Sequence, residues 1–170
     1  MLIDKYLKKY DFNEYHEITI EAGPDEIYAI IKKLDFTQSW IVNFLFRLRG
    51  LPKAMRNLDG FIKVGFIFLE ENENEEFVLG FLANQRGLKN VSPEEFIDFA
   101  QAAYVVAAWN FHLVQVNEGE TLVSTETRIL GTNKAAKRFF SLYWFFISPF
   151  SAWIRKIILK MVKKEADLKI

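Results

Sequence analysis

The chain has 170 residues, 51% of them hydrophobic and 26% charged, with a formal net charge of zero. That length suits one domain with a sizeable core, and the composition excludes a disordered chain. There is no cysteine, so disulfides, thiol nucleophiles and cysteine metal sites are excluded, and the neutral balance gives no support to nucleic acid as the main partner.

Charge is unevenly spread. From Thr132 onward nine Lys or Arg face only Glu165 and Asp167, a local balance of +7 that leaves −7 for the first 131 residues. Met1 to Tyr10 carries Asp4, Lys5, Lys8 and Lys9 and has no apolar stretch of signal-peptide length. Together with the missing cysteines this predicts a cytoplasmic protein. The longest uncharged apolar run, Phe139 to Ile154, has 16 residues with Pro149 inside it. A membrane-spanning helix needs about 20, so the run reads as a buried helix.

In chain order, Tyr15 to Ala22 alternates, with His16, Ile18, Ile20 and Ala22 on one side, which predicts a half-buried strand. Gly23-Pro24 ends it, and Asp25 and Glu26 suit the start of a helix whose buried face is Ile27, Ile30, Ile31 and Leu34. A second helix is expected over about Thr37 to Arg49, with a stripe of Trp40, Ile41, Phe44, Leu45 and Leu48; Gly50 and Pro52 stop it. Lys53 to Asp59 reads as the least regular segment. Phe61 to Glu70 and Phe77 to Ala83 read as two strands around a charged hairpin connection. Ser92-Pro93-Glu94-Glu95 is a capping box opening a short helix to about Phe99. Tyr104 to Val116 and Thr121 to Leu130 form a second hairpin. Thr132 or Asn133 then caps a long terminal helix rich in aromatic residues, with a kink expected at Ile147–Ser148, just before Pro149.

The predicted class is α+β. A curved antiparallel β-sheet would wrap around a long, kinked C-terminal helix, with two short helices after strand one, in a single domain spanning residues 1–170. This order resembles the START-like, or SRPBCC, superfamily of helix-grip proteins, which includes birch-pollen-allergen-type proteins and polyketide cyclases. Local stretches carry the resemblance: His16-Glu17-Ile18-Thr19-Ile20-Glu21-Ala22-Gly23-Pro24-Asp25-Glu26-Ile27-Tyr28, then Ala107-Ala108-Trp109-Asn110-Phe111, then Leu122-Val123-Ser124-Thr125-Glu126-Thr127-Arg128. They are most similar to bacterial members of unassigned function, over about residues 13–165. The resemblance implies a greasy space between sheet and helix. It does not imply one activity, because the superfamily spans lipid carriers, cyclases, hormone receptors and stress proteins.

Placing Val116 opposite Thr121 puts Trp109, Phe111, Leu113, Leu122, Ser124, Glu126 and Arg128 on one face of the second hairpin. That face carries the bulky apolar groups and is expected to look inward. Charges there need partners. Arg128 could meet a carboxylate or phosphate and Glu126 a hydroxyl or amine; the plain alternatives are a structural ion pair, or a one-residue slip that puts both outside. Trp109, Phe111, Tyr143 and Phe146 are the expected walls of a cavity. His16 is a candidate polar group or base within it, although a hydrogen-bonded core histidine is the ordinary role. No metal-ligand spacing, P-loop, dinucleotide glycine pattern or nucleophile elbow is present, so no catalytic residue, metal or cofactor is assigned.

Three readings follow. The first is a carrier or binder of a hydrophobic or amphipathic small molecule, lipid- or polyketide-like. The second is a peripheral membrane or protein-interaction module working through the aromatic, basic terminal helix. The third is a cyclase- or dehydratase-like enzyme using Glu126 or His16. Membrane contact and a homodimer both stay open as partners.

Overall fold

The computed structural model describes residues 1–48 and 54–168. An N-terminal turn of helix, α1 (Ile3–Tyr6), precedes β1 (Phe12–Ile20), α2 (Pro24–Lys33), a 3-10 turn over Phe36–Gln38, α3 (Trp40–Leu48) and α4 (Leu58–Lys63). Then come β2 (Ile67–Asn72), β3 (Glu76–Asn84), β4 (Gly87–Lys89), α5 (Pro93–Ile97), β5 (Val105–Asn117), β6 (Glu120–Gly131) and α6 (Lys134–Asp167). The strands form one antiparallel sheet in the order β1-β6-β5-β3-β2, with β4 paired to β3. A long C-terminal helix packs against β1, β6 and β5 and against α2 and α3. This is the helix-grip fold.

Several local signals act as expected. The phase of β1 alternates, with Ile18 half-buried and Ile20 buried on the helix side. Pro24 sits in the first turn of α2, and Ile27, Ile30, Ile31 and Leu34 are buried. Ser92 accepts from Glu95 N at 3.2 Å and Glu95 accepts from Ser92 N at 3.0 Å, completing the capping box. Asn133 caps α6, accepting from Ala136 N at 2.8 Å.

Other expectations are corrected. Phe61 is not in a strand but in α4, whose N-cap Asn57 accepts from Gly60 N at 2.9 Å. The helix stops at Gly65, whose φ of +113° favours glycine. In α3 the buried residues include Val42, Leu45 and Phe46, while Trp40 is 76% exposed and Phe44 also faces out. The helix is therefore rotated from the expected stripe. Its expected stop, Arg49, Gly50 and Pro52, lies outside the described residues, as does Lys53. α6 continues through Pro149. Proline cannot donate to the Phe145 carbonyl, so the helix has lost that internal bond at the turn where its packing changes. Beyond Pro149, α6 buries Ser151, Ile154, Ile158, Leu159, Val162 and Ala166, whereas residues 137–150 contribute none that is fully buried.

The hairpin register is shifted by one. Gln115 pairs with Thr121 and Asn117 with Glu120, leaving Val116 as an extra, bulged residue. Beyond the bulge Trp109 faces Thr127 and Phe111 faces Thr125, while Asn110 faces Glu126 and Ala108 faces Arg128. The aromatics thus share the helix side with Thr125 and Thr127. Glu126 and Arg128 lie on the opposite side of the sheet, contrary to the expectation from sequence.

That opposite side is covered by the N-terminal segment, which sequence reading left unassigned. Ile3, Tyr6 and Leu7 pack with Val78, Leu82, Phe96 and Val106 in a second core. Arg128 holds Glu126 through two bonds, Nε to Oε1 at 2.9 Å and Nη2 to Oε2 at 3.0 Å. Its Nη1 donates to Asp4 Oδ1 at 2.7 Å and to the Leu7 carbonyl at 3.2 Å. Glu76 accepts from Leu2 N at 2.6 Å and from Asn110 Nδ2 at 2.6 Å. Asn110 Oδ1 in turn accepts from Glu126 N at 2.8 Å. The buried charges are therefore paired and spent on tying α1 to the sheet.

Two tests follow. The Arg128 side chain is only 8% exposed and Glu126 7%. Arg128→Ala strands a buried carboxylate and should cost about 3 kcal/mol or more in urea denaturation. The Asp4 carboxyl is held below its usual value mainly by its hydrogen bond to Arg128. A depressed folded pKa stabilises above the unfolded value and loses that contribution as pH falls through the folded one. Asp4→Asn should therefore be less stable than the parent at neutral pH, with the gap closing below about pH 4 when both are melted across pH.

Candidate functional site

Between the helix side of the sheet and α6 lies an open cavity of about 970 Å³. Its size falls in the range of small-molecule sites, roughly 300 to 1,000 Å³. Apolar walls come from Phe46, Met55, Phe61, Phe66, Phe81 and Trp109 on one side and from Phe140, Trp144, Ile154 and Ile158 of α6 on the other. The walls are braced by ring contacts: Phe61 touches Phe66 at 5.0 Å and Trp109 at 5.5 Å between centroids, and Phe66 touches Phe81 at 4.9 Å. Phe140 and Trp144 rest on Phe12 of β1 at 5.5 and 6.3 Å, which holds the first half of α6 over the sheet. Lys137 and Asp11, 2.5 Å apart, fasten its start.

The two ends of the cavity differ. At one end the lining residues Gln85, Arg86, Leu88 and Phe139 are exposed, which makes this the mouth. At the other, Trp109, Thr127, Ser151, Ile154 and Ile158 are buried. Into this buried end projects Arg155. Its Nη1 donates to Ser151 Oγ at 2.5 Å, its Nη2 donates to Thr127 Oγ1, and its guanidinium carbon lies 5.9 Å from the Trp109 ring centre. Thr127 is directed here by the Val116 bulge, which also lets Thr125 accept from the Trp109 indole N–H at 2.8 Å. No Asp or Glu is among the described residues that line the space.

The residues expected from sequence divide as follows. Trp109 and Tyr143 line the cavity. Phe111 is 1% exposed and packs in the core against Phe77 and Trp109, away from the void. Phe146 points outward, 61% exposed. His16 faces the helix side, 3.0 Å from Glu14 Oε1, but is not part of the lining. Glu126 and Arg128 are beneath α1 and do not reach the cavity at all. Sequence reading missed Arg155, grouping it with the basic tail. The signal was its spacing: it follows Ser151 by four and precedes Ile158 by three, so it shares their helix face. Among the described residues no three His, Asp or Glu side chains gather as a metal site, and no helix is long and apolar enough to cross a membrane.

No protein-family model matches the sequence, and no curated protein matches it. Similar solved structures exist. A conserved protein from Geobacillus kaustophilus is 11% identical, covering 92% of this chain and 95% of its own, with a TM-score of 0.47. A truncated norcoclaurine synthase from Thalictrum flavum is 14% identical, covering 89% and 92%, with a TM-score of 0.45. An aromatase/cyclase from Streptomyces sp. R1128 is 10% identical, covering 92% and 93%, with a TM-score of 0.33. At such distances the helix-grip assignment rests on the chain's own strand order and terminal helix.

Val105 is 7% exposed and lines the cavity from β5. Val105→Trp should fill part of the void, so that titration with an apolar fluorescent probe shows binding at least about tenfold weaker than the parent, with far-UV circular dichroism unchanged. Arg128→Ala should leave probe binding untouched.

Proposed function

We propose that the protein binds and carries a hydrophobic or amphipathic small molecule, lipid- or polyketide-like, between the sheet and α6. The single observation behind this reading is an aromatic-walled cavity of about 970 Å³. A ligand burying about 300 Å² of apolar surface gains roughly 7 kcal/mol before ordering costs. The geometry supports binding better than turnover. Glu126, one expected acid or base, is committed to Arg128 on the far side of the sheet, and His16 pairs with Glu14 outside the lining. Native mass spectrometry of protein purified without detergent or organic solvent should show a bound small molecule that is lost in Val105→Trp. Mass identical to the bare chain, with no apolar probe bound, overturns the reading.

A second reading is supported by the outward side of α6. Phe139, Leu142, Phe146, Phe150 and Trp153 recur at spacings of three and four and are all exposed, as is Phe145 at 74%. At about 1.5 Å per residue this stripe is about 21 Å long. Exposed Lys134 and Arg138 precede it, and Lys156 and Lys160 follow. An apolar stripe between basic clusters suits the surface of an anionic bilayer. The protein should pellet with vesicles containing phosphatidylserine, less with pure phosphatidylcholine, and Phe145→Ser with Phe146→Ser should abolish pelleting. Equal recovery in the supernatant with every vesicle removes this reading, and a concentration-dependent dimer in sedimentation velocity reassigns the stripe to a second copy.

A further inference from the structure

We propose that the cavity exchanges its ligand directly with an anionic bilayer on which its mouth is seated. The inference joins the carrier reading to the membrane reading and rests on both. Three observations carry it. First, the outward stripe of α6 and the cavity share residues. Phe139 belongs to the stripe and lines the mouth, at 60% exposure, and Tyr143, at 41%, lines the cavity one turn further on. Second, the strand side of the mouth has the same make-up as the stripe: exposed Leu88 beside exposed Arg86, an apolar group next to a cation. Such pairs suit the boundary between lipid headgroups and acyl chains. Third, the first half of α6 is apolar on both sides. Phe140 and Trp144 line the cavity, while Leu142, Phe145 and Phe146 face outward. A bilayer lying on this stripe would be separated from the ligand by one helix, about 10 Å across.

Charge selects an anionic lipid surface over a second copy of the chain. No acidic residue lies between Thr132 and Lys164, and the first 131 residues carry −7. A negative surface therefore draws the α6 side toward itself and turns the rest of the chain away. Two α6 helices paired antiparallel about Phe146 would set Lys134 and Arg138 of one copy within a turn of Lys156 and Lys160 of the other. Parallel pairing would set each cation against itself. Either two-fold arrangement opposes like charges, whereas anionic headgroups balance them. A direct route also suits an apolar ligand. Leaving through water exposes its whole apolar surface, whereas passage at the mouth keeps it against apolar groups.

The test is transfer of a neutral pyrene-labelled fatty alcohol from the full chain to acceptor vesicles, followed by stopped-flow fluorescence. The expected rate rises in proportion to vesicle concentration. It should be at least about tenfold faster with vesicles containing phosphatidylserine than with pure phosphatidylcholine. Phe145→Ser with Phe146→Ser, neither of which lines the cavity, should slow transfer at least about tenfold and leave equilibrium affinity for the probe unchanged. Lys134→Glu with Arg138→Glu should remove the preference for phosphatidylserine. A rate independent of vesicle concentration, with probe binding and pelleting both intact, means exit through water; it overturns the inference and leaves both readings standing. Transfer by the double serine variant as fast as by the parent does the same. Probe binding without pelleting overturns the membrane reading and this inference with it, and leaves the carrier reading in place. No probe bound in solution overturns the carrier reading and the inference together. A concentration-dependent dimer that the double serine variant abolishes gives the stripe to a second copy and also overturns the inference.

Discussion

Strands β5 and β6 are the two longest of the sheet, and one extra residue at Val116 sets the phase of their pairing from the turn to the far end. Because side chains alternate sides along a strand, that residue decides which face every later group occupies. It sends Thr125 and Thr127 toward α6, where one receives the Trp109 indole N–H and the other helps to hold Arg155. It sends Glu126 and Arg128 the other way, where Asp4 and the Leu7 carbonyl meet the guanidinium. Without the bulge, a carboxylate and a guanidinium would enter the apolar space, and the hydroxyls that orient Arg155 would leave it.

The two sides of the sheet therefore use charge differently. On the outer side the chain combines Arg128, Glu126, Asp4, Glu76 and Asn110 into a network with each group bonded to another or to backbone. Such a network adds little net stability over apolar packing, but removing one member is costly, so it specifies where α1 docks. On the inner side a cation is set among aromatic rings and two hydroxyls. The first arrangement docks α1; the second fixes the Arg155 side chain at the buried end of the cavity.

Much of the fold was legible in the sequence because local signals and hydrophobic period agreed. The phase of Ile18 and Ile20, the proline start of α2 and the Ser92–Glu95 capping box all carry short-range physics. The site was less legible for three physical reasons. Hairpin register depends on one residue, and both faces of β6 carry Ser, Thr or charged groups, so alternation could not choose between them. In α3 the run Trp40-Ile41-Val42-Asn43-Phe44-Leu45-Phe46 is apolar nearly all round, so its buried face is set by packing rather than by period. The α1 segment is four residues long and finds its partners far away in sequence, beyond the reach of any local pattern. Arg155, by contrast, could have been found by writing out the helix face of Ser151 and Ile158.

The placement of β1 has a consequence for how the chain reaches this state. β1 is an edge strand whose sheet partner, β6, begins at Glu120, and the Asp4–Arg128 bond spans 124 positions. During synthesis the first strand therefore emerges long before anything exists for it to pair with. Its exposed backbone edge must wait until nearly the whole sheet has been made. Loop closure over such a separation is entropically costly and slows the step that joins the ends. The polar outward residues of β1, Asn13, Glu17 and Thr19, keep that waiting strand less prone to pairing with a neighbouring chain than an apolar edge would be.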